Sequence, residues 1–521
     1  MSRRWKAWAA LAMGSCLTSG WLLQREPAAD GDVYRQARLF ETVLGYVRDY
    51  HVDSLSESEL YRRAAAGLLA QLEDPYAALL AGQELERQVE RTTGDYAGIG
   101  LLVDARNGWV TVVTPLQDSP AERAGLRTGD RLFEVESESA ADWTLDRAVR
   151  VMRGPPGTPI EIAVLRDGGP QPLRFRLVRE RIHRPAVPAG LLLPDGVGYL
   201  EISMVREHAA GELEREVARL VRQGMRVLLL DLRSNPGGLR DEAVEVADLF
   251  LDPGQEILVS RGRAPGDNHR WADRRVQRWG NLPIVVLVND GTASAAEIIA
   301  SALQDHGRAL IVGDTTFGKG IVQSVFPLGT RLALRMTTAR WYTPGGRSIQ
   351  GATPDSAMDA ESKAGAAEPS GPGTLRASSG LVPDVVLGVD TLTTPESILA
   401  RSLAGEMPVF RDVLTACALD ARKDRTVTKE TFEVTGPMRA EMRRRLRERG
   451  VRIADSVFSG GTRLLDAQLG YEIARYTFGP AAERRRRVRE DSQIRRAMEL
   501  VRGMSSPEAL LGLAQGREPA H

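Results

Sequence analysis

Two residues of this 521-residue chain could act together as nucleophile and base. Ser294 stands in Asn289-Asp290-Gly291-Thr292-Ala293-Ser294-Ala295-Ala296-Glu297, between a buried-strand pattern at Ile284–Asn289 and a helical pattern at Ala295–His306. A serine at such a turn lies at the carboxyl edge of the sheet, where open α/β folds place their sites. The helix N-terminus adds unpaired N–H groups and positive dipole charge, both favourable to a developing oxyanion. Ser, Thr and Asp are also common helix caps, so the segment alone reads equally as a cap.

Lys319 follows the next strand pattern, Ala309–Val312, in Asp314-Thr315-Thr316-Phe317-Gly318-Lys319-Gly320. The chain has five lysines, Lys6, Lys319, Lys363, Lys423 and Lys429, and otherwise takes its positive charge from arginine. Arginine cannot give up its proton in a protein, whereas a buried lysine can. A lone lysine here therefore suits a task that needs a neutral amine, which is what a general base for serine requires. Lowering its pKa from about 10.4 to roughly 7–8 takes ~3–4 kcal/mol, within reach of an apolar pocket. Phe317 and Ile321 are candidates to line that pocket, and the amide oxygen of Gln323 could hold the amine in register.

A third segment, Asp231-Leu232-Arg233-Ser234-Asn235-Pro236-Gly237-Gly238, closes another apolar run. Its glycines let backbone N–H groups point into a site. Gly237 or Gly238, with the N–H of Ala295, could form an oxyanion hole. Alone, the turn reads as an ordinary β-α connection. What favours a site is that consecutive parallel strands deliver their C-terminal loops to one edge.

The elements that must position these residues alternate: a strand at Val227–Leu232, a helix at Asp241–Leu251, a strand at Ile284–Asn289, a helix at Ala295–His306 and a strand at Ala309–Val312. Such alternation predicts a mainly parallel sheet covered by helices, within residues 189–350 and 380–390. Helical periodicity fills 33–95, broken at Asp74-Pro75. Short alternating strands with Gly-rich turns fill 96–180. Residues 351–379, rich in Ala, Gly, Ser, Glu and Pro, read as a disordered insertion. A charged helical extension runs over 395–521, where the run Arg484–Arg487 reads as a solvated helix face. The expected fold class is thus α+β and multidomain.

Net charge is zero, which gives no field for nucleic acid. Two cysteines and six scattered histidines give no disulfide framework and no metal-ligand spacing, so neither metal nor cofactor is expected. Residues 1–28 carry Arg3, Arg4 and Lys6 before an apolar stretch to about Leu23. This reads as a secretory signal or signal-anchor and predicts export, to the periplasm or the outer face of a membrane. Met13-Gly14-Ser15-Cys16 resembles a lipobox, which would lipidate Cys16. Cleavage, anchoring and lipidation all stay open, and the helical regions make a homo-oligomer plausible.

The strings Tyr96-Ala-Gly-Ile-Gly-Leu-Leu102, Asp231–Gly238, the Ser294 segment, Thr316–Gln323 and Thr337–Gln350 resemble the C-terminal processing peptidases, over about Val33 to Val386. The resemblance implies a Ser-Lys dyad: Ser294 as nucleophile, Lys319 as base and Gln323 positioning the lysine. It places the oxyanion hole at Gly237 or Gly238 with Ala295. The stretch from Gly98-Ile99-Gly100 through Asp118–Leu132 to Ile160–Leu165 resembles a PDZ domain, implying that these three residues bind the C-terminal tails of protein or peptide substrates. A packing domain that binds no tail is the plainer alternative. An exported PDZ scaffold with an inert core is the rival function. A Ser-His-Asp protease of the HtrA kind lacks its Gly-x-Ser-Gly-Gly segment here, and His306 reads as an exposed helix-end residue.

Overall fold

The computed structural model describes residues 30–106, 108–166, 171–350, 380–388, 392–504 and 506–513. The expected N-terminal signal, with Cys16, and the expected insertion 351–379 lie outside them. No helix among the described residues is long and apolar enough to cross a membrane.

The chain divides into two compact units. The first comprises Met1–Gly82 and Gln323–Thr337. It holds α1 (Asp30–Tyr50), α2 (Glu57–Ala70) and β1 (Ala78–Ala81). β1 pairs antiparallel with Leu332–Arg335, and the Asp74 carboxylate accepts from the backbone and hydroxyl of Thr337. The helix Gln83–Thr93 (α3) belongs to the second unit. Glu90 of α3 is ion-paired to Arg153.

In the second unit, β2 (Asp95–Gly98) leads into a six-stranded sheet whose main path is β3 (Leu101–Arg106), β4 (Trp109–Pro115), β5 (Arg131–Val135), β6 (Pro159–Leu165) and β7 (Leu173–Val178), with the short strand Glu138–Ser139 pairing with β5. A helix, α4 (Leu145–Met152), covers it through Ala148 and Met152. β3 is an edge strand. The chain leaves on β8 (Glu180–His183), which pairs with β2 as a two-stranded neck.

His183 in this neck bonds Asp95 and Glu212, each at 2.7 Å. Burial alone would lower its pKa, but the bonds to Glu212 and Asp95 outweigh it and raise the pKa above 6.5. The bridge should therefore stabilise the fold fully below pH 6.5 and lose that contribution as pH rises through the raised value. The melting-temperature gap between wild type and His183→Gln is expected to shrink with rising pH. A gap independent of pH would refute the bridge.

The central sheet runs in the order β9 (Leu191–Leu192), β10 (Val197–Glu201), β11 (Val227–Asp231), β14 (Ile284–Val288), β15 (Leu310–Gly313) and β18 (Val385–Val386). All its pairs but β9–β10 are parallel, as the β-α alternation predicts. On one face Leu228, Leu230, Val286 and Ile311 pack beneath α5 (Ala209–Arg222), α6 (Arg240–Asp248) and α7 (Ala295–Asp305). The alternate residues Tyr199, Leu229, Val285, Leu287 and Val312 pack beneath Val488, Ile494, Ala497, Val501 and Leu510 of the C-terminal helices. Both faces are dry, which is why these strands are apolar throughout. The extension thus supplies the second layer of the sheet; each large side chain it covers contributes ~1.5–3 kcal/mol. β12 (Glu256–Gly262) pairs antiparallel with β13 (His269–Ala272) and with residues 339–342 of β17 (Leu332–Tyr342), which follows β16 (Ile321–Pro327) in the chain.

The extension comprises α8 (Thr394–Ala404), α9 (Met407–Lys423), α10 (Gly436–Glu448), α11 (Asp455–Gly460), α12 (Thr462–Phe478), α13 (Pro480–Glu490), α14 (Ser492–Leu500) and α15 (Pro507–Gly512). In the run Arg484–Arg487 on α13, Arg485 and Arg487 are exposed as the composition suggests, whereas Arg484 is half-buried and Arg486 buried. Arg484 donates to the Ala189 carbonyl, Arg485 pairs with Glu430, buried Arg486 donates to the Phe432 carbonyl, and Arg487 pairs with Glu483.

Candidate active site

Three loops leave the carboxyl ends of β11, β14 and β15, and side chains stitch them together. Asn289 Oδ1 accepts from the Ser234 amide at 2.7 Å. Thr292 Oγ1 donates to the Leu232 carbonyl at 2.8 Å, and the Ala293 amide donates to the Asn235 carbonyl at 2.9 Å. The Phe317 amide donates to the Thr292 carbonyl at 2.9 Å, which draws the third loop onto the second.

Ser294 is the residue immediately before α7 and has φ +53°, ψ −116°. A non-glycine residue held at positive φ is strained, and such strain persists only where the surroundings impose it. One of those constraints is Glu297, whose side chain is fully buried. Its carboxylate accepts from the Ser294 amide at 2.7 Å, the Thr316 hydroxyl at 2.5 Å, the Gly318 amide at 2.8 Å and the Lys319 amide at 2.9 Å. One acid therefore holds the serine and the lysine segments in register. Burial pushes its pKa up, opposed by those four donors.

Lys319 is half-buried. Its carbonyl accepts from Trp341 Nε1 at 3.1 Å, and the next residue, Gly320, donates to Gln350 Oε1 and accepts from the Trp341 amide. Ile321 is half-buried, but Phe317 is 56% exposed and does not form the expected apolar wall, because its amide is drawn to Thr292 while its ring faces outward. Gln323 is half-buried in β16, in the segment belonging to the first unit. His306, expected to be exposed, is half-buried at the end of α7 with Nε2 2.6 Å from the Glu256 carbonyl.

The Asn235–Gly238 turn meets the serine directly. A Cβ on Gly237 (φ +94°) would lie 2.7 Å from the Ala293 carbonyl, 2.8 Å from Ser294 Cβ and 2.9 Å from the Ala295 amide. Only glycine permits this approach. The Gly237 amide donates to Asn235 Oδ1 at 2.9 Å, whereas that of Gly238 has no such bond among the described residues. Gly238, with φ +147°, packs against the Val205 carbonyl. Ala295 is buried in the first turn of α7, with its amide beside the turn.

Beneath the turn, Arg233 pairs bidentately with Asp231, to which Tyr199 also donates. The same guanidinium reaches Asp491 and Gln493 of the C-terminal extension at 3.2 and 2.8 Å. Residues far along the chain thus buttress the loop.

Gly98, Ile99 and Gly100 lie apart from this edge, where the end of β2 turns into β3. Gly100 has φ +77°, and a Cβ there would come within 2.2 Å of Ser119 Cβ. The carbonyls of Ile99 and Gly100 are taken by the Ala121 and Leu116 amides, which fixes the loop beside the free edge of β3.

Glu297 went unnoticed in the sequence although Ser294-Ala-Ala-Glu297 has capping-box spacing. Arg233 and its partners left no local signal.

Residues 196–358 match the model of Peptidase family S41, and 111–166 that of the PDZ domain. A carboxy-terminal-processing protease of Bartonella bacilliformis is 38% identical over 62% of this chain and 75% of its own length. A probable CtpA-like serine protease of Staphylococcus epidermidis is 32% identical, over 58% of this chain and 61% of its own length. The solved photosystem II D1 C-terminal processing protease is 26% identical, covering 70% of this chain and 90% of that one with a TM-score of 0.37. With its sheet, its strand-to-helix serine and its PDZ module, this chain belongs to the carboxy-terminal-processing proteases, and it is a serine peptidase.

Proposed function

We propose that this protein is an exported endopeptidase that cleaves proteins near their C-termini with a Ser294–Lys319 dyad. The observation that carries this reading is the single buried carboxylate of Glu297, bonded to the backbone of both residues. In the reading, Lys319 Nζ takes the Ser294 hydroxyl proton as Oγ attacks the scissile carbonyl. The oxyanion is met by the Ala295 amide and one from the Gly-Gly turn, of which Gly238 is the better candidate because Gly237 is already committed. The proton passes to the departing amine and leaves an acyl-serine. Water then enters, loses its proton to Lys319 and releases the acid. Gln323 is assigned the task of orienting the amine. Gly98, Ile99 and Gly100 receive the substrate's terminal carboxylate while its last residues add to β3 as a strand.

The test uses a folded protein bearing an unstructured tail. Wild type is expected to cleave it, Ser294→Ala and Lys319→Ala to fail, and amidation of the tail to weaken cleavage. Equal cleavage by all three proteins would end the dyad, and indifference to amidation would end carboxylate recognition. Export by the N-terminal segment and self-association through apolar residues exposed on α1, such as Tyr34, Phe40 and Tyr46, complete the reading. Cell fractionation and molar mass in solution check them.

A further inference from the structure

The groove beside β3 carries more positive charge than a tail carboxylate can use. It encloses about 480 Å³. Its floor is aliphatic, with Ile99, Val103, Leu116, Val149 and Met152. The polar part of its lining is different. Arg87, Arg91, Arg153, Arg184 and Arg206 line the groove against Glu90 alone. Over the whole chain the two signs balance, 69 against 69, so this excess is local.

Most of the excess is uncompensated. Glu90 is spent on Arg153, which also lies over the Tyr96 ring at 5.3 Å. Arg91 and Arg184 have no carboxylate partner among the described residues. Arg206 is buried; its guanidinium donates to the Pro185 carbonyl, at 3.3 Å, and has no carboxylate partner among the described residues. The backbone beneath them is close: Arg184 donates to the Gly94 carbonyl, and a Cβ on Gly94 would touch Arg206 Cδ at 3.2 Å. Burial, then the charge of Arg184, push the Arg206 pKa down, with partial relief from Glu212. Glu212 is itself committed to His183 and the Val187 amide.

The geometry points to a substrate class: protein tails that end in an aliphatic residue and carry Asp or Glu within their last few positions. This rests on the tail-binding reading above and goes beyond it. The aliphatic floor takes the terminal side chain, the loop takes the carboxylate, and the remaining guanidinium groups take a second anion. Arg206 belongs to the protease core, so an acidic tail is gripped by both domains.

The test is fluorescence anisotropy with the full-length Ser294→Ala protein, which cannot turn over its ligand in the proposed mechanism. Three labelled peptides end in valine and differ only in the two preceding residues, Glu-Glu, Gln-Gln or Lys-Lys. Each is made as free acid and as amide. The Glu-Glu acid is expected to bind at least about tenfold tighter than the Lys-Lys acid in low salt, and the gap to close in 0.5 M NaCl, where the Debye length falls to about 4 Å. Adding Arg91→Gln and Arg184→Gln should collapse the ratio to under about twofold. Both side chains are exposed, so an unchanged melting temperature confirms that the variant is folded. Equal binding of the three acids, with amides weaker, would overturn the acidic preference and leave the tail reading intact. Amides binding as tightly as acids would overturn both.

Discussion

Glu297→Ala is expected to abolish proteolysis and to destabilise the protein. The carboxylate accepts four hydrogen bonds, three of them from backbone amides of Ser294, Gly318 and Lys319. Each buried donor left without a partner costs ~1–3 kcal/mol. The loss should therefore exceed about 3 kcal/mol unless the loops separate and let water in. Separation would itself part Ser294 from Lys319. Glu297→Gln is the sharper probe, because it keeps the shape but replaces one accepting oxygen by a donating NH₂. Either the Ser294 and Lys319 amides or the Thr316 hydroxyl and Gly318 amide must then face a donor. A fall in kcat of at least about 100-fold, some 2.7 kcal/mol, is expected. Wild-type kcat in a folded Glu297→Gln protein would show that this acid does not align the loops.

Gly237→Ala should be nearly as damaging, for a different reason. Its added methyl meets the Ala293 carbonyl, Ser294 Cβ and the Ala295 amide within 2.9 Å, and none of these is the flexible end of a side chain. The φ of +94° adds strain of ~1–3 kcal/mol. Relief requires the turn and the serine to move apart, which disturbs the nucleophile and the oxyanion donors together. Removal of one such donor commonly costs about 10²–10³ in kcat. Tail affinity, measured by anisotropy, should stay at its wild-type value because the Gly98–Gly100 loop is a separate part of the fold. Unchanged kcat would mean that the turn takes no part in catalysis.

These two residues mark what was legible in the sequence. Gly237 could be read, because a Gly-Gly turn after an apolar strand has a local signature, and parallel strands bring their loops to one edge. The same logic brings the Ser294 and Lys319 loops to one edge and predicted the mainly parallel sheet. Glu297 was readable in principle from its capping-box spacing. Arg233 and Asp491 were not, being 258 residues apart, and no periodicity reports such a pair. The arginine run on α13 is exposed at Arg485 and Arg487 but turned inward at Arg484 and Arg486, because charge predicts exposure only on average. Its side chains find carbonyls and carboxylates that tertiary packing brings up. Phe317 misled in the opposite sense, since an apolar residue beside a site need not line it.

The most direct measurement is covalent trapping. A substrate ester or a serine-directed phosphonyl fluoride is incubated with wild type, Ser294→Ala and Lys319→Ala, and the modified peptide is identified by mass spectrometry. The account predicts a single adduct on Ser294 in wild type, none in Ser294→Ala, and labelling slowed at least about 100-fold in Lys319→Ala. An adduct on another residue, or labelling of Ser294 at an undiminished rate without Lys319, would contradict it.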